Sequence, residues 1–320
     1  MTDQLATPYT RRRFVVTAGL AAAAAVLVRR RSLAEELGTV PRMRGEAATA
    51  KLEVQRVRDN LHVILGAGGN IIVATGADGK LLVDAGLSTA RPALAAMLDG
   101  INSDPIKGLI NTHWHFDHTD GNAWLHDAGA TIYAQEKTRR YLSAFSQVVD
   151  WDYTFKPSPA GALPAVVFAR ELTLHLNGYT IALNRYEPAH TDSDLSVHFV
   201  EADVFCVADT WWNGFYPFID YSTGGSIDGT IRATEANLAN PKVSEGTVIV
   251  PGHGPVGNKV QLAEYRDMLV AIRNGVAGLK QQGQSLEDIV AAKPTAAYDA
   301  KWGNYLVSPE AFTHLVYKGV

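Results

Sequence analysis

From Leu52 onward, short apolar runs alternate with clusters of turn-forming residues. Residues 52–57, 61–65, 71–75 and 81–84 read as strands, because their apolar positions alternate or run on between turns. Asp59-Asn60 and residues 66–70 and 76–79 supply those turns. Helical spacing follows at 91–98, where Pro92 sits near the start and its missing N–H costs nothing. The apolar run 107–111 predicts a buried strand, 122–128 a helix, 131–134 a strand and 135–149 a further helix. Pro157, Pro159 and Pro164 exclude a regular element over 151–164, which reads as an ordered loop near the mouth of a site. Strands resume at 172–176, 179–185, 196–199 and 204–207. A helix at 226–239 with Ser226 as its N-cap, a strand at 247–250, and helices at 261–281, 285–291 and 309–317 complete the pattern. Two rounds of strands, each closed by helices, predict an α/β chain with two sheets face to face and helices outside.

The chemistry concentrates just past the 107–111 strand. His113, His115, Asp117, His118 and Asp120 fall within eight positions. Alternate side chains of an extended chain share a side, so His113 and His115 point together while Trp114 turns away. A curl toward a helix then aims Asp117 and His118 at a neighbouring point. Two imidazoles for one site and a carboxylate with an imidazole for the next are the donors of zinc and similar divalent ions. Four-coordinate ions need more donors, and three residues follow predicted strands: His190 after 179–185, Asp209 after 204–207 and His253 after 247–250. The last lies in Pro251-Gly252-His253-Gly254-Pro255, whose glycines let the backbone approach closely.

This H-x-H-x-D-H loop, with the later His190, Asp209 and His253, resembles the metallo-β-lactamase superfamily over roughly residues 52–255. The resemblance implies a four-layer αββα sandwich and two zinc ions, with iron or manganese as alternatives. His113, His115 and His190 would hold the first ion, Asp117, His118 and His253 the second, and Asp209 would bridge them. It implies a hydrolase in which a hydroxide shared by the ions attacks an acyl bond in an ester, lactone, thioester or β-lactam. Asp117 would also steer the hydroxide's proton and is the candidate catalytic residue. In the family an aspartate at the place of Asp84 braces the metal loop. A bridging Asp209 shifts the expectation from β-lactams toward thioesters, lactones and other esters, although His190-Thr191-Asp192-Ser193 lacks the glycine common in the thioesterases. An iron-dependent sulfur or oxygen oxidoreductase, a β-lactamase proper and a metal-carrying scaffold without turnover are the alternatives. Trp211, Trp212, Phe215, Tyr216 and Phe218 read either as an apolar rim for substrate or as core packing. Cys206, in mid-strand, reads as a small buried hydrophobe. His62, His126, His175, His198 and His314 lack comparable settings and read as structural or surface groups.

Charge narrows the partners. The formal net charge is −4, yet the first 34 residues hold six arginines against Asp3 alone, a surplus of +5 that leaves −9 for the rest. So acidic a body is a poor match for nucleic-acid phosphates, and a small-molecule substrate is expected instead. Thr10-Arg11-Arg12-Arg13-Phe14 resembles the twin-arginine export motif, and the apolar stretch 17–28 falls short of the roughly 20 residues of a spanning helix. The expected division is a signal peptide at 1–34, a flexible leader at 35–51 and a catalytic domain at 52–320. The twin-arginine translocase is then a partner during export, the periplasm is the destination, and no permanent membrane anchor is expected. With one cysteine, Cys206, the chain forms no intrachain disulfide.

Overall fold

The computed structural model describes residues 38–320. The signal-peptide reading falls on residues that lie outside these. The chain divides at Arg42 into a leading segment and a main unit, Met43–Val320. Where the sequence suggested a flexible leader, Thr39–Thr49 forms a helix (α1). Met43 and Ala47, four residues apart on one face, are both buried, and that burial supports the helix where its own composition does not.

The first sheet opens with β1 (Glu53–Arg58), β2 (Leu61–Leu65), β3 (Ile71–Ala74) and β4 (Lys80–Val83), each antiparallel to the one before. Helix α2 (Arg91–Ile101) leads to β5 (Ile106–Asn111), parallel to β4. The short helices α3 (Phe116–Thr119) and α4 (Asn122–Asp127) lead to β6 (Thr131–Gln135), parallel to β5. Helix α5 (Glu136–Leu142) is half the length that 135–149 suggested. Beyond it, β7 (Ser146–Val148) and β8 (Tyr153–Phe155) pair as a separate two-stranded sheet, partly within the stretch read as irregular. Val148 is fully buried in the hydrophobic core, so tertiary packing overrides the local helical pattern here. Strand β9 (Val166–Phe168) joins β6 and completes a seven-stranded sheet.

The second sheet contains β10 (Glu171–Leu176), β11 (Tyr179–Arg185), β12 (Leu195–Phe199), β13 (Val204–Trp212) and β14 (Val248–His253), side by side in that order. Its pairs are antiparallel except β13–β14, which is parallel and is joined through helix α6 (Ile227–Ala239). The period-2 alternation decides what each sheet face meets. Leu61, Val63, Ile72, Ala74, Leu81 and Val83 pack against Ile181, Leu183, Val197, Val204 and Cys206 as the layer between the sheets. Phe205, Val207 and Ile249 point the other way, into a second core under α6 and the long helix α7 (Lys259–Gln281). Leu262, Tyr265, Leu269, Ile272 and Val276 of α7 recur every three or four residues on its buried face, and an Asn258–Gln261 capping box starts the helix. Helices α8 (Leu286–Ala292), α9 (Asp299–Trp302) and α10 (Pro309–Gly319) follow, with α10 packed on α6 and α7. Helices α4 and α5 lie against the first sheet. The result is the αββα sandwich of the metallo-β-lactamase fold. No helix among the described residues is long and apolar enough to cross a membrane.

Two parallel pairs, β4–β5 and β13–β14, bring their carboxyl ends to one edge of this sandwich, the position where sheets of this kind bind ligands. Asn70 fastens the sheets there. Its backbone N–H donates to Gly252 O at 2.8 Å, and its amide donates to Pro251 O at 2.9 Å and Gly254 O at 2.8 Å.

Candidate metal centre

Each donor is placed by a strand end. Asp84 follows β4 in the left-handed region (φ 67°) and accepts from Thr112 N and Thr112 Oγ1, both at 2.8 Å, which pins the start of the loop after β5. His113 and His115 stand in the bend between β5 and α3, and the single turn α3 carries Asp117 and His118. His190 lies between β11 and β12, and His253 ends β14. Asp209 was expected just past its strand, yet β13 runs on to Trp212 through a register shift at Ala208. Ala208 has φ 46°, a conformation that costs a non-glycine residue roughly 1–2 kcal/mol and turns the following side chain. Two glycines make room for the cluster. A β-carbon on Gly252 would lie 1.8 Å from Asp209 Oδ1, and one on Gly69 would lie 2.1 Å from His118 Cε1.

The structure brings the seven residues together. Among the described residues, the groups of metal-type donors are His113–His115–His190, His113–His118–Asp209 and Asp117–His118–His253, each with its ligand atoms within 4.8 Å of one another. His190 Nε2 is 2.9 Å from His115 Nδ1, and His253 Nε2 is 3.3 Å from Asp117 Oδ2. Asp209 stands between the two sets. Its Oδ2 is 3.5 Å from His190 Nε2, 3.3 Å from His253 Nε2 and 4.0 Å from His113 Nε2, and its Oδ1 is 3.1 Å from His118 Nε2.

These residues fit divalent ions. His113 Nε2 is buried without a hydrogen-bond partner, an arrangement that costs about 1–3 kcal/mol unless something else satisfies it. The outward nitrogens of four imidazoles are occupied. His118 Nδ1 meets Asp84 Oδ2 at 2.8 Å, His115 Nε2 meets Asp220 Oδ2 at 3.0 Å and His190 Nδ1 meets Phe218 O at 2.8 Å. Thr112 Oγ1, already donating to Asp84, accepts from His113 Nδ1 at 3.1 Å. Each partner holds a proton on the outer nitrogen and turns the inner one toward the cluster.

The electrostatics ask for positive charge. Burial, reinforced by the neighbouring His118 and His115, holds His113 well below the usual imidazole range, and burial lowers His190. Burial opposes charge on His253 as well, but Asp209 and Asp117 raise it to about 9. The same carboxylates, with Asp84, outweigh burial at His118 and raise it well above its ordinary value. In return His118 and His253 overcome the burial of Asp209 and Asp117 and depress both carboxyls, Asp209 strongly.

Some of the surroundings gave no sign in the sequence. Asp220, fully buried, accepts from Ser222 N, Thr223 Oγ1 and His115 Nε2, and its partner lies 105 positions away. Gly69 likewise stands far from the motif it accommodates. The aromatic run serves both readings: Trp211, Trp212, Tyr216 and Phe218 belong to the core with Phe215 packed against it, and Trp212 and Phe218 also line the donor cluster. Cys206 lies in the layer between the sheets, and burial pushes its thiol up, away from the thiolate a metal needs. His62, His126, His175, His198 and His314 enter none of the donor groups.

Fold and site together define a protein built around a buried cluster of metal-type donors. The chain belongs to the metallo-beta-lactamase superfamily, whose family model matches residues 65–261. No curated protein matches the chain. Among solved structures it is similar to the stereoselective inverting sec-alkylsulfatase Pisa1 from Pseudomonas sp., at 16% identity and TM-score 0.61 over 87% of this chain and 52% of that one. The chain thus spans about half the length of that enzyme. It is also similar to the DIM-1 metallo-beta-lactamase (18% identity, TM-score 0.53, 68% of this chain and 97% of that one). A metallo-beta-lactamase from Pontibacter korlensis gives 17% identity and TM-score 0.53 over 68% of this chain and 99% of that one. These likenesses are of fold.

Proposed function

We propose that the protein is a zinc-dependent hydrolase of acyl bonds, acting on an ester, lactone or thioester at a pair of ions. The observation that carries this reading is Asp209, whose two oxygens reach both donor sets. His113, His115 and His190 would hold one ion and Asp117, His118 and His253 the other, with Asp209 shared. Divalent ions so held supply Lewis acidity and water acidified toward a pKa of about 7.

The chain's own residues do the rest. Asp117, buried and held ionised by His118 and His253, offers Oδ2 as the proton acceptor for the attacking water. Asp84 and Asp220 keep His118 and His115 in the tautomer and orientation that face the cluster. Met43, Trp151, Trp212, Phe218 and Leu306 close over the donors and exclude bulk water, which strengthens every charge interaction inside.

Elemental analysis of purified protein, with a chromogenic ester, lactone, thioester, cephalosporin and sulfate ester as substrates, tests the proposal. About two zinc per chain is expected, with turnover of an acyl substrate that His115→Ala abolishes. One iron per chain and no hydrolysis would replace this reading with the oxidoreductase alternative.

A further inference from the structure

The space around His115, Asp117, His190 and Asp209 is closed, with about 0 Å³ open to a water-sized sphere. A cavity of about 500 Å³ lies close by, within the size range of small-molecule sites. Five rings line it, Trp114, Phe116, Tyr141, Tyr153 and Phe155, together with Arg44, which pairs with Asp120 at 2.9 Å, and the exposed Lys156. Several of these rings touch one another, Trp114–Tyr141 at 5.2 Å, Trp114–Phe155 at 5.5 Å and Phe116–Phe155 at 5.4 Å between centroids.

Trp151 stands between the two spaces. Its ring is 5.1 Å from that of His115 and stacks on Phe218 at 4.6 Å. On its other side it lies 5.7 Å from Phe116 and 6.5 Å from Phe155, both in the cavity wall. The residue belongs to the β7–β8 hairpin, a sheet of only two strands that pairs with neither main sheet.

We infer that this cavity is the subsite for a flat aromatic or cyclic apolar group of the substrate, and that Trp151 is the gate between it and the donor cluster. The inference rests on the hydrolase reading for the word substrate, but the binding it requires does not depend on turnover. A planar ring satisfies the edges and faces already displayed there. Moving Trp151 aside would expose His115 toward Phe116 and Phe155, so a group bonded to a ring held in the cavity would reach the donor cluster.

Calorimetric titration of the metal-loaded protein with 2-naphthamide, a neutral planar probe, tests the subsite. One-to-one binding is expected, weakened at least about tenfold in Ala123→Trp, which fills the cavity from α4 away from every donor. Tyr153→Ala, which removes a wall, is expected to weaken binding several-fold and decides the matter if the tryptophan variant does not fold. Trp151→Ala is expected to speed removal of metal by a chelator about tenfold, since the ring covers His115. Absence of naphthamide binding, or equal affinity in the folded variants, overturns the subsite. An unchanged chelation rate overturns the gate. Ring binding without hydrolysis of any acyl compound would refute the proposed function and leave the subsite standing, whereas hydrolysis of small esters without ring binding does the reverse.

Discussion

Replacing Asp84 tests whether the metal site depends on the carboxylate behind it. Asp84 accepts three hydrogen bonds at 2.8 Å, from Thr112 N, Thr112 Oγ1 and His118 Nδ1. Asp84→Asn keeps the shape but turns one acceptor into a donor. If the amide nitrogen faces His118, the imidazole must move its proton to Nε2, the nitrogen that points at Asp117 and Asp209. If it faces Thr112 N instead, two donors collide at the start of the loop. Outer partners of metal-binding histidines are typically worth about 10–100-fold in affinity. Asp84→Asn is therefore expected to weaken metal binding by that factor, about 1.4–2.8 kcal/mol. Asp84→Ala leaves three buried donors without an acceptor at about 1–3 kcal/mol each, so it is expected to destabilise the fold by at least ~3 kcal/mol. Competition with a chromogenic chelator reads the affinity, and urea unfolding of the metal-free protein reads the stability. Wild-type affinity in Asp84→Asn together with a loss under about 1 kcal/mol in Asp84→Ala would refute the reasoning.

Gly69→Ala is expected to push His118 aside and to halve the metal content by elemental analysis, because its β-carbon would lie 2.1 Å from that ring; full content would show that the loop gives way instead. The metal-free protein is expected to lose roughly 3 kcal/mol of stability as pH rises from 6.5 through 9. His253, raised to about 9, supplies this contribution fully below 6.5 and loses it as it deprotonates, and His118, raised well above its ordinary value, adds a loss of the same sign at higher pH. His113 and His190, held low, act only below that window. Urea midpoints at pH 6 and 9.5 measure the effect, which bound metal is expected to suppress by replacing the proton, and a rise in stability over that range contradicts it. For the export proposal, Arg11→Lys with Arg12→Lys is expected to leave the protein in the cytoplasm on fractionation; unchanged periplasmic recovery refutes it.

Local patterns carried most of this architecture. The donors of the 113–118 loop declare themselves because a strand end and one helical turn place them over six residues. His253 declares itself through glycines that have no other use so close to a strand. The β7–β8 hairpin was invisible for the opposite reason: Val148 is held by a core assembled from distant segments, while residues 135–149 by themselves have helical spacing. Asp220 was silent because a carboxylate is recognisable only by its partner, and His115 arrives from the other sheet. The kink at Ala208 likewise has no signature, since alanine is not a residue that announces a positive φ.

The two sheets are contiguous in sequence, parting between Phe168 and Glu171. Four donors precede that point and three follow it, so neither half contains a complete coordination set. If the cluster holds metal as proposed, a ribosome that has released only the first sheet would expose a partial claw, with too few donors to keep an ion. Full affinity would arrive only when the later half docks, and occupancy would then certify that the whole chain has assembled. Two separately expressed fragments, cut at this joint, should then depend on zinc to find each other.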